Sequence, residues 1–237
     1  MSNILTTHVG SLPRSKELSE FLFAKDKGEK FSQSSFDEVL KNNVESVVKR
    51  QLDVGIDFVS DGEMSKISYA TYIKDRIDGF SGESERRAPA DLDDFPEYKE
   101  KIAKSGGTPT YTRPCCTNEL KVKDETSLLQ DINNFKNSLD KLNHRHAFMN
   151  SASPGVINVF MPNKFYSTED EYLDKLSNIM AKEYELITKS DIQVQLDCPD
   201  LALARHMNFK NLSEDEFIKR AELQIECLNS ALSNVDV

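Results

Sequence analysis

Cysteine is scarce in this chain: there are four in 237 residues, at Cys115, Cys116, Cys198 and Cys227. None stands in a Cys-x-x-Cys or Cys/His spacing, which argues against a finger-type zinc site and against a disulfide framework in so large a chain. Long apolar runs are missing too, with nothing near the roughly 20 residues that cross a bilayer. No charged-then-apolar leader opens the sequence, so a soluble protein of the cytoplasm is expected. Positive charge is in deficit: the formal net charge is -10. A field of that sign repels nucleic acid and anionic membrane surfaces, and neither is expected as a partner. There is no GxGxxG turn and no GxxxxGK[ST] loop, so a backbone cradle for phosphates is not indicated.

What is present is the patterning of a globular domain, with 38% hydrophobic and 30% charged residues. A chain of this length can bury roughly 70% of its unfolded surface. Phe36, Leu40, Val44, Val47, Val48 and Leu52 share one face of a predicted helix over 36–54, with Ser35 and Glu38 as its capping box and Gly55 as its left-handed stop. Thr168 with Glu171 opens a second helix carrying Leu176, Ile179, Met180 and Ile187. Ser213 with Glu216 opens a third, carrying Phe217, Ala221, Ile225, Leu228 and Leu232, and a further helical period covers 126–142. Between them lie short apolar runs read as strands: Ile4 to Thr7, Ile56 to Ser60, a weaker one around Tyr111 to Thr117, His146 to Asn150, and Ile192 to Asp197. Strands alternating with amphipathic helices predict an α/β fold with a parallel sheet. The polar stretch 81–110, with its Gly, Pro and paired arginines Arg86 and Arg87, breaks the pattern and reads as an insertion or a lid.

Parallel β/α sheets place their chemistry at the carboxyl ends of the strands. Here strand one ends in Thr7, His8, Gly10 and Ser11; strand two in Ser60, Asp61, Gly62 and Glu63; strand three near Cys116 and Thr117; strand four in Asn150, Ser151 and Ser153; strand five in Asp197, Cys198 and Asp200. Such residues also cap helices and start turns, and Asp61 is read as the cap of a helix starting near Met64. Together they suit a small polar ligand bearing an ammonium group. Asp197, ending a buried strand, needs a partner, and Glu63 can either balance a helix dipole or turn into the pocket. His144 and His146 fall at the beginning of a strand, the wrong end for catalysis, and read as structural. His206 reads as a surface or packing residue, and Cys115 and Cys116 as small buried hydrophobes.

The run Thr6-Thr7-His8-Val9-Gly10-Ser11-Leu12-Pro13-Arg14 resembles the first strand and loop of the cobalamin-independent methionine synthase catalytic domain, especially its short single-domain relatives. Ser60-Asp61-Gly62-Glu63 is similar to the Gly-Glu segment of that family. Gln195-Leu196-Asp197-Cys198-Pro199-Asp200-Leu201-Ala202 resembles its Gln-Ile-Asp-Glu-Pro-Ala-Leu segment, and Ser153-Pro154-Gly155 its fourth-strand loop. The resemblance implies a TIM-type (β/α) barrel over 1–237, of which about the first five β/α units are present. It implies that Gly10 and Ser11 meet the carboxylate end of homocysteine and that Glu63 and Asp197 bind its amino group, with His8 and Ser153 beside them as substrate-binding residues. Two positions depart from the pattern: His8 stands where many full-length members carry Thr, and Cys198 stands where the family has Glu.

The resemblance also implies zinc, which the family holds through a His-x-Cys pair after strand six and through later Glu and Cys residues; this chain contains none of them. Coordination would turn a thiol of pKa near 8.5 into a bound thiolate ready to accept a methyl group. The chain is accordingly expected to be the amino-terminal part of a longer zinc methyltransferase, inactive alone, with no catalytic residue or metal ligand of its own. Two alternatives stand beside that reading: a catalytically silent amino-acid-binding or assembly module, and a thiol alkyltransferase of the same superfamily acting on a coenzyme thiol. The methyl donor is not legible. Five β/α units leave a sheet edge open, from which a homodimer or edge-to-edge association is expected.

Overall fold

A computed structural model describes residues 4–85, 90–104, 111–142 and 146–235. Its centre is a three-stranded parallel sheet in the order β1-β4-β5, formed by β1 (Phe58–Ser60), β4 (His146–Ala152) and β5 (Gln193–Asp197). The first apolar run adds only a bridge, Thr7 lying parallel to Phe58, with the Thr6 carbonyl accepting from the Phe58 amide at 3.0 Å. The remaining two strands, β2 (Ile77–Ser81) and β3 (Cys115–Val122), pair antiparallel with each other and stand apart from that sheet. This corrects the expectation of five parallel strands. The weak run at Tyr111 to Thr117 becomes strand only from Cys115, and its partner is Ile77–Ser81, a segment with no strand-like apolar run of its own. Gly79 marks the irregularity in that pair: its φ is +110°, and a Cβ there would sit 2.8 Å from the Glu119 carbonyl oxygen.

The helices cover the sheet in two groups. On one side, α1 (Lys16–Asp26), α2 (Gln33–Asp53) and α4 (Thr126–Lys141) bury Leu18, Leu40, Val44, Val48, Ile132 and Phe135 with Val59 and Met149. On the other, α5 (Pro154–Phe160) and α6 (Glu169–Thr188) bury Val156, Ile157, Tyr172, Leu176, Met180 and Tyr184 together with Ile77 and Leu120 of the hairpin. Residues 147–152 of β4 are all buried, as a central parallel strand covered on both faces must be. Within the polar insertion, α3 (Pro96–Lys104) follows a short turn of 3₁₀ helix at Ala90–Asp94, so the stretch is not structureless; residues 86–89 and 105–110, including Arg86 and Arg87, lie outside the described residues. A short α7 (Ala204–Met207) and α8 (Glu214–Ala231) complete the described chain.

The capping chemistry is in part as the sequence predicts. Ser213 and Glu216 form a reciprocal capping box on α8. Thr168 caps α6 by accepting from the Glu171 amide, but the Glu171 carboxylate reaches back to the Ser167 amide. The cap of α2 is Ser32 and not Ser35, because the Ser32 hydroxyl takes the Ser35 amide at 3.3 Å and the helix starts a turn earlier. At its other end the Gly55 amide donates to Leu52 and the Ile56 amide to Gln51, a left-handed stop at φ +83°. The Gln51 side chain then pairs with both backbone groups of Ser60, at 2.8 and 3.1 Å, pinning the carboxyl end of β1 to α2. On α8 the buried face is Phe217, Gln224 and Ala231, whereas Ile225, expected inside, is 42% exposed.

Beneath the sheet's carboxyl end lies a buried ion pair between Arg76 and Glu183, with the Ser151 hydroxyl donating to Glu183 at 2.6 Å. Burial pushes the Glu183 carboxyl up, but Arg76 and Lys66 more than offset it and hold it below the ordinary carboxylate range. Removing one member of such a pair strands a charge, at a cost of about 3 to 5 kcal/mol, while a well-packed apolar pair of similar volume costs far less. Arg76→Ala is therefore expected to lower the urea midpoint severely, and the double variant Arg76→Met/Glu183→Leu to recover most of the loss. Equal losses in both would show that the charge is not what the site protects.

Both outer edges of the sheet, at Thr7 and along β5, carry no strand partner among the described residues, and Ile4 and Val9 flank the first edge at 94% and 66% exposure. A polypeptide of residues 1–237 is expected to self-associate in light scattering, and a monodisperse monomer across the micromolar range would contradict that.

Candidate functional site

The loops after the strands converge at the carboxyl end of the sheet. Residues 61–68 form no helix at Met64; instead the Asp61 carboxylate accepts the Glu63 amide at 3.1 Å, an Asx turn in place of the predicted cap. Gly62, at φ +64°, lets the loop pass close to its neighbours: a Cβ would stand 2.9 Å from Met64 and 3.1 Å from Leu12. Its carbonyl accepts the Leu12 amide at 3.0 Å and so joins the first loop to the second. Glu63 itself is left-handed, at φ +55°, a conformation that costs a side-chain-bearing residue of order 1 kcal/mol or more and persists only where its surroundings fix it. Arg14 does the fixing, its guanidinium donating to the carbonyl oxygens of Glu63 at 2.7 Å and Lys66 at 2.6 Å.

So held, the Glu63 carboxylate points inward, 2% exposed. One oxygen accepts the Ser11 hydroxyl at 2.5 Å and the other accepts the Asn150 side-chain amide at 3.1 Å. The same amide nitrogen donates to the half-buried Asp197 carboxylate at 3.2 Å. Ser11, Glu63, Asn150 and Asp197 are thus one hydrogen-bonded group drawn from four loops or strand ends. Lys66, 2% exposed, donates its ammonium to the Asn150 carbonyl at 2.5 Å and lies 5.0 Å over the Tyr72 ring.

The other predicted site residues lie elsewhere. Gly10 turns the first loop at φ +77° with open space around it. Ser153 caps α5, accepting the Val156 amide at 3.1 Å and donating to Asp200 at 2.8 Å, so its hydroxyl is spent on structure; its own amide donates to the Asp197 carbonyl. His8 lines a cleft of about 320 Å³ against α2, with Leu12, Pro13, Val47, Arg50, Gln51 and Val54. His146 stacks on Phe58 at the amino end of the strands, 4.3 Å between ring centres; His144 lies outside the described residues. His206 is exposed, and Cys115 and Cys116 are buried.

Residues left out of the predicted substrate-binding set do much of the work: Asn150, named as an end of strand four, Arg14, quoted within the first motif, and Lys66 and Tyr69. Asn150 carried a signal, since a primary amide in the otherwise buried strand His146–Ala152 is costly without partners. The electrostatics follow from the packing. Burial pushes the Glu63 carboxyl above its ordinary range, the Ser11 bond and Lys66 oppose it, and Asp61 and Asp197 add to it. Burial, then Asp197 and Glu63, raise the Tyr69 hydroxyl.

The sequence profile of the cobalamin-independent synthase catalytic domain matches residues 4–89, which contain both the Gly10-Ser11 loop and Glu63. Over that stretch the chain is similar to the cobalamin-independent methionine synthases. A methionine synthase of Sulfolobus acidocaldarius is 25% identical over 233 residues, 98% of this chain and 58% of the relative. A 5-methyltetrahydropteroyltriglutamate–homocysteine methyltransferase of Bifidobacterium adolescentis is 31% identical over 75 residues, 32% of this chain and 10% of that one. Among solved structures, the B12-independent methionine synthase of Shewanella sp. W3-18-1, in complex with selenomethionine, superposes with a TM-score of 0.67 at 15% identity, covering 98% of this chain and 58% of that one. A Listeria monocytogenes protein described as a putative vitamin-B12-independent methionine synthase gives 0.67 at 14%, covering 100% and 64%. These two share the α/β fold. The chain spans about three-fifths of the relatives it matches along its whole extent.

Methionine synthases of this family are of the zinc-dependent type, and the residues described in this chain do not fit such a site. Among them no three His, Cys, Asp or Glu side chains converge, and the Cys198 thiol, beside Asp197 in the chain, turns to the Leu196 carbonyl.

A further acid sits near the site. Asp131 of α4 accepts from Ser65 at 2.7 Å and Tyr72 at 2.5 Å, yet burial pushes its carboxyl up to about 6. A folded-state value above the unfolded one means that the native state holds the proton longer, so this group's contribution to stability falls as pH rises from about 4 to about 6. Asp131→Asn is expected to gain thermal stability relative to the parent between pH 4.5 and pH 7. A difference independent of pH over that window would contradict the assignment.

Proposed function

We propose that this chain binds a small thiol or thioether amino acid of the homocysteine class, and that it does so as the amino-terminal half of a cobalamin-independent methionine-synthase-type methyltransferase barrel. The observation that carries the reading is the Asn150 amide bonded at once to Glu63 and Asp197. Carboxylates brought so close, with their remaining lone pairs unspent on Asn150, are acceptors for the three N–H donors of an ammonium group. Ser11 holds Glu63 in place, and the resemblance to the family assigns the ligand carboxylate to the loop at Gly10 and Ser11. The likeness to this family supports the amino-acid class, and the methyl-transfer step is assigned to the whole protein, with the zinc ligands among residues outside those described. The insertion over 81–110 is proposed as a cover for this mouth.

Each charge-assisted bond to the ammonium contributes about 1.5 to 3 kcal/mol. Because the Glu63 carboxyl is raised and its ionised form is the stronger acceptor for an ammonium, binding is expected to strengthen as pH rises through its titration. Calorimetry with L-homocysteine and L-methionine on residues 1–237 tests this: Glu63→Gln and Asp197→Asn should each weaken binding about 10- to 150-fold, a range that follows from those energies. Unchanged affinity in both variants would remove the ammonium assignment. On the same reading the isolated chain is a binding module without catalytic activity of its own. Zinc-dependent methyl transfer by purified residues 1–237 would overturn that.

A further inference from the structure

We infer that Asn150 is a positioning residue for the ammonium site, its one amide nitrogen bridging Glu63 and Asp197 and aiming both carboxylates at a common point. The geometry carries this. Each of the two accepting oxygens lies within 3.2 Å of the same nitrogen, so they stand within about 6 Å of each other in an environment where Glu63 is 2% exposed. Like charges at that separation and burial push one of the pair toward its protonated form. A protonated carboxyl spends a lone pair on its own proton and offers a ligand ammonium less.

An amide suits the position as few other groups would. Its nitrogen only donates, so it can satisfy one oxygen of each acid without adding charge, and it cannot fill the site as a lysine ammonium would. Its reach is fixed from behind. Asn150 pairs with Gln195 in the register of β4 and β5, and its carbonyl is held by the Lys66 ammonium at 2.5 Å. Because β4 is the middle strand, this is the sheet position from which one side chain can touch a group beyond each neighbour. The charged and titratable groups that face the pair are Asp61 and Lys66 from the loop after β1, Arg14 from the first loop, and Tyr69 from the 3₁₀ turn at Tyr69–Asp75. Asp200 faces Tyr69 from the segment after β5. Lys66 and Arg14 favour ionisation of Glu63; Asp61 opposes it. None of these hydrogen-bonds to both acids, whereas Asn150 does.

The test separates this role from plain packing. Carbon-detected titration of the Glu63 carboxyl is expected to show it about tenfold more proton-affine in Asn150→Leu than in the parent. L-homocysteine binding by that variant should be weakened about tenfold at pH 6 and recover most of the loss at pH 8. A packing role predicts the same loss at both pH values and an unshifted carboxyl, and that result would overturn the inference. If Asn150→Leu does not fold, the parent protein still decides: the Asn150 side-chain amide resonance must move as Glu63 titrates, and a resonance that does not respond contradicts the claim. The binding arm rests on the proposed amino-acid function, but the titrations do not. A parent protein that binds no homocysteine would sink that function and leave the role of Asn150 to be settled by the carboxyls.

Discussion

One nitrogen atom, Nδ2 of Asn150, ties together two carboxylates whose residues are 134 positions apart in the chain, and the arrangement of the rest of the molecule makes that bond possible. The strand order β1-β4-β5 puts β4 between β1, whose following loop carries Glu63, and β5, which ends in Asp197. A side chain at its carboxyl end can reach acids delivered from either side; one on an outer strand could not. The parallel direction of all three strands matters equally, because it brings their carboxyl ends, and so the loops that follow, to one edge of the sheet.

Burying acids is costly, and the fold offsets it with fixed cations rather than with solvent. Lys66 stands under Asn150 and Arg76 pairs with Glu183, while Arg14 grips the backbone that presents Glu63. The left-handed Glu63 and the tightly packed Gly62 belong to the same economy of space: the second loop is bent sharply enough for a carboxylate to face inward, and the first loop closes over it through the Leu12 amide. The two apolar clusters, one around α2 and α4 and one around α5 and α6, leave between them the polar layer in which this happens.

Much of this was legible in the residues themselves. The helical periods of Phe36 to Leu52 and of Leu176 to Ile187 state their buried faces outright, and Gly55 states where the first ends, because those signals are local. Glu63 and Asp197 could be named since each follows an apolar strand. What escaped was non-local. Nothing in Ile77–Ser81 announces a strand until it meets Cys115–Val122 across the insertion, and the expected third parallel strand was lost to that pairing. Ser153 looked like a pocket residue, but its hydroxyl meets the local demands of an N-cap and of Asp200. His8 sits two residues before Gly10 yet turns to α2, a choice made by the cleft beside Val47 and Gln51 and not by its motif. Asn150 had meaning only once both of its partners were in space.

The most direct test is a crystal structure of residues 1–237 with L-selenomethionine, whose anomalous signal locates the ligand without ambiguity. The account predicts the ligand's amino nitrogen within hydrogen-bonding distance of a Glu63 and an Asp197 carboxylate oxygen, with Asn150 still bonded to both acids. A ligand seated in the cleft beside His8, or one whose carboxylate rather than amino group faces Glu63, would contradict it.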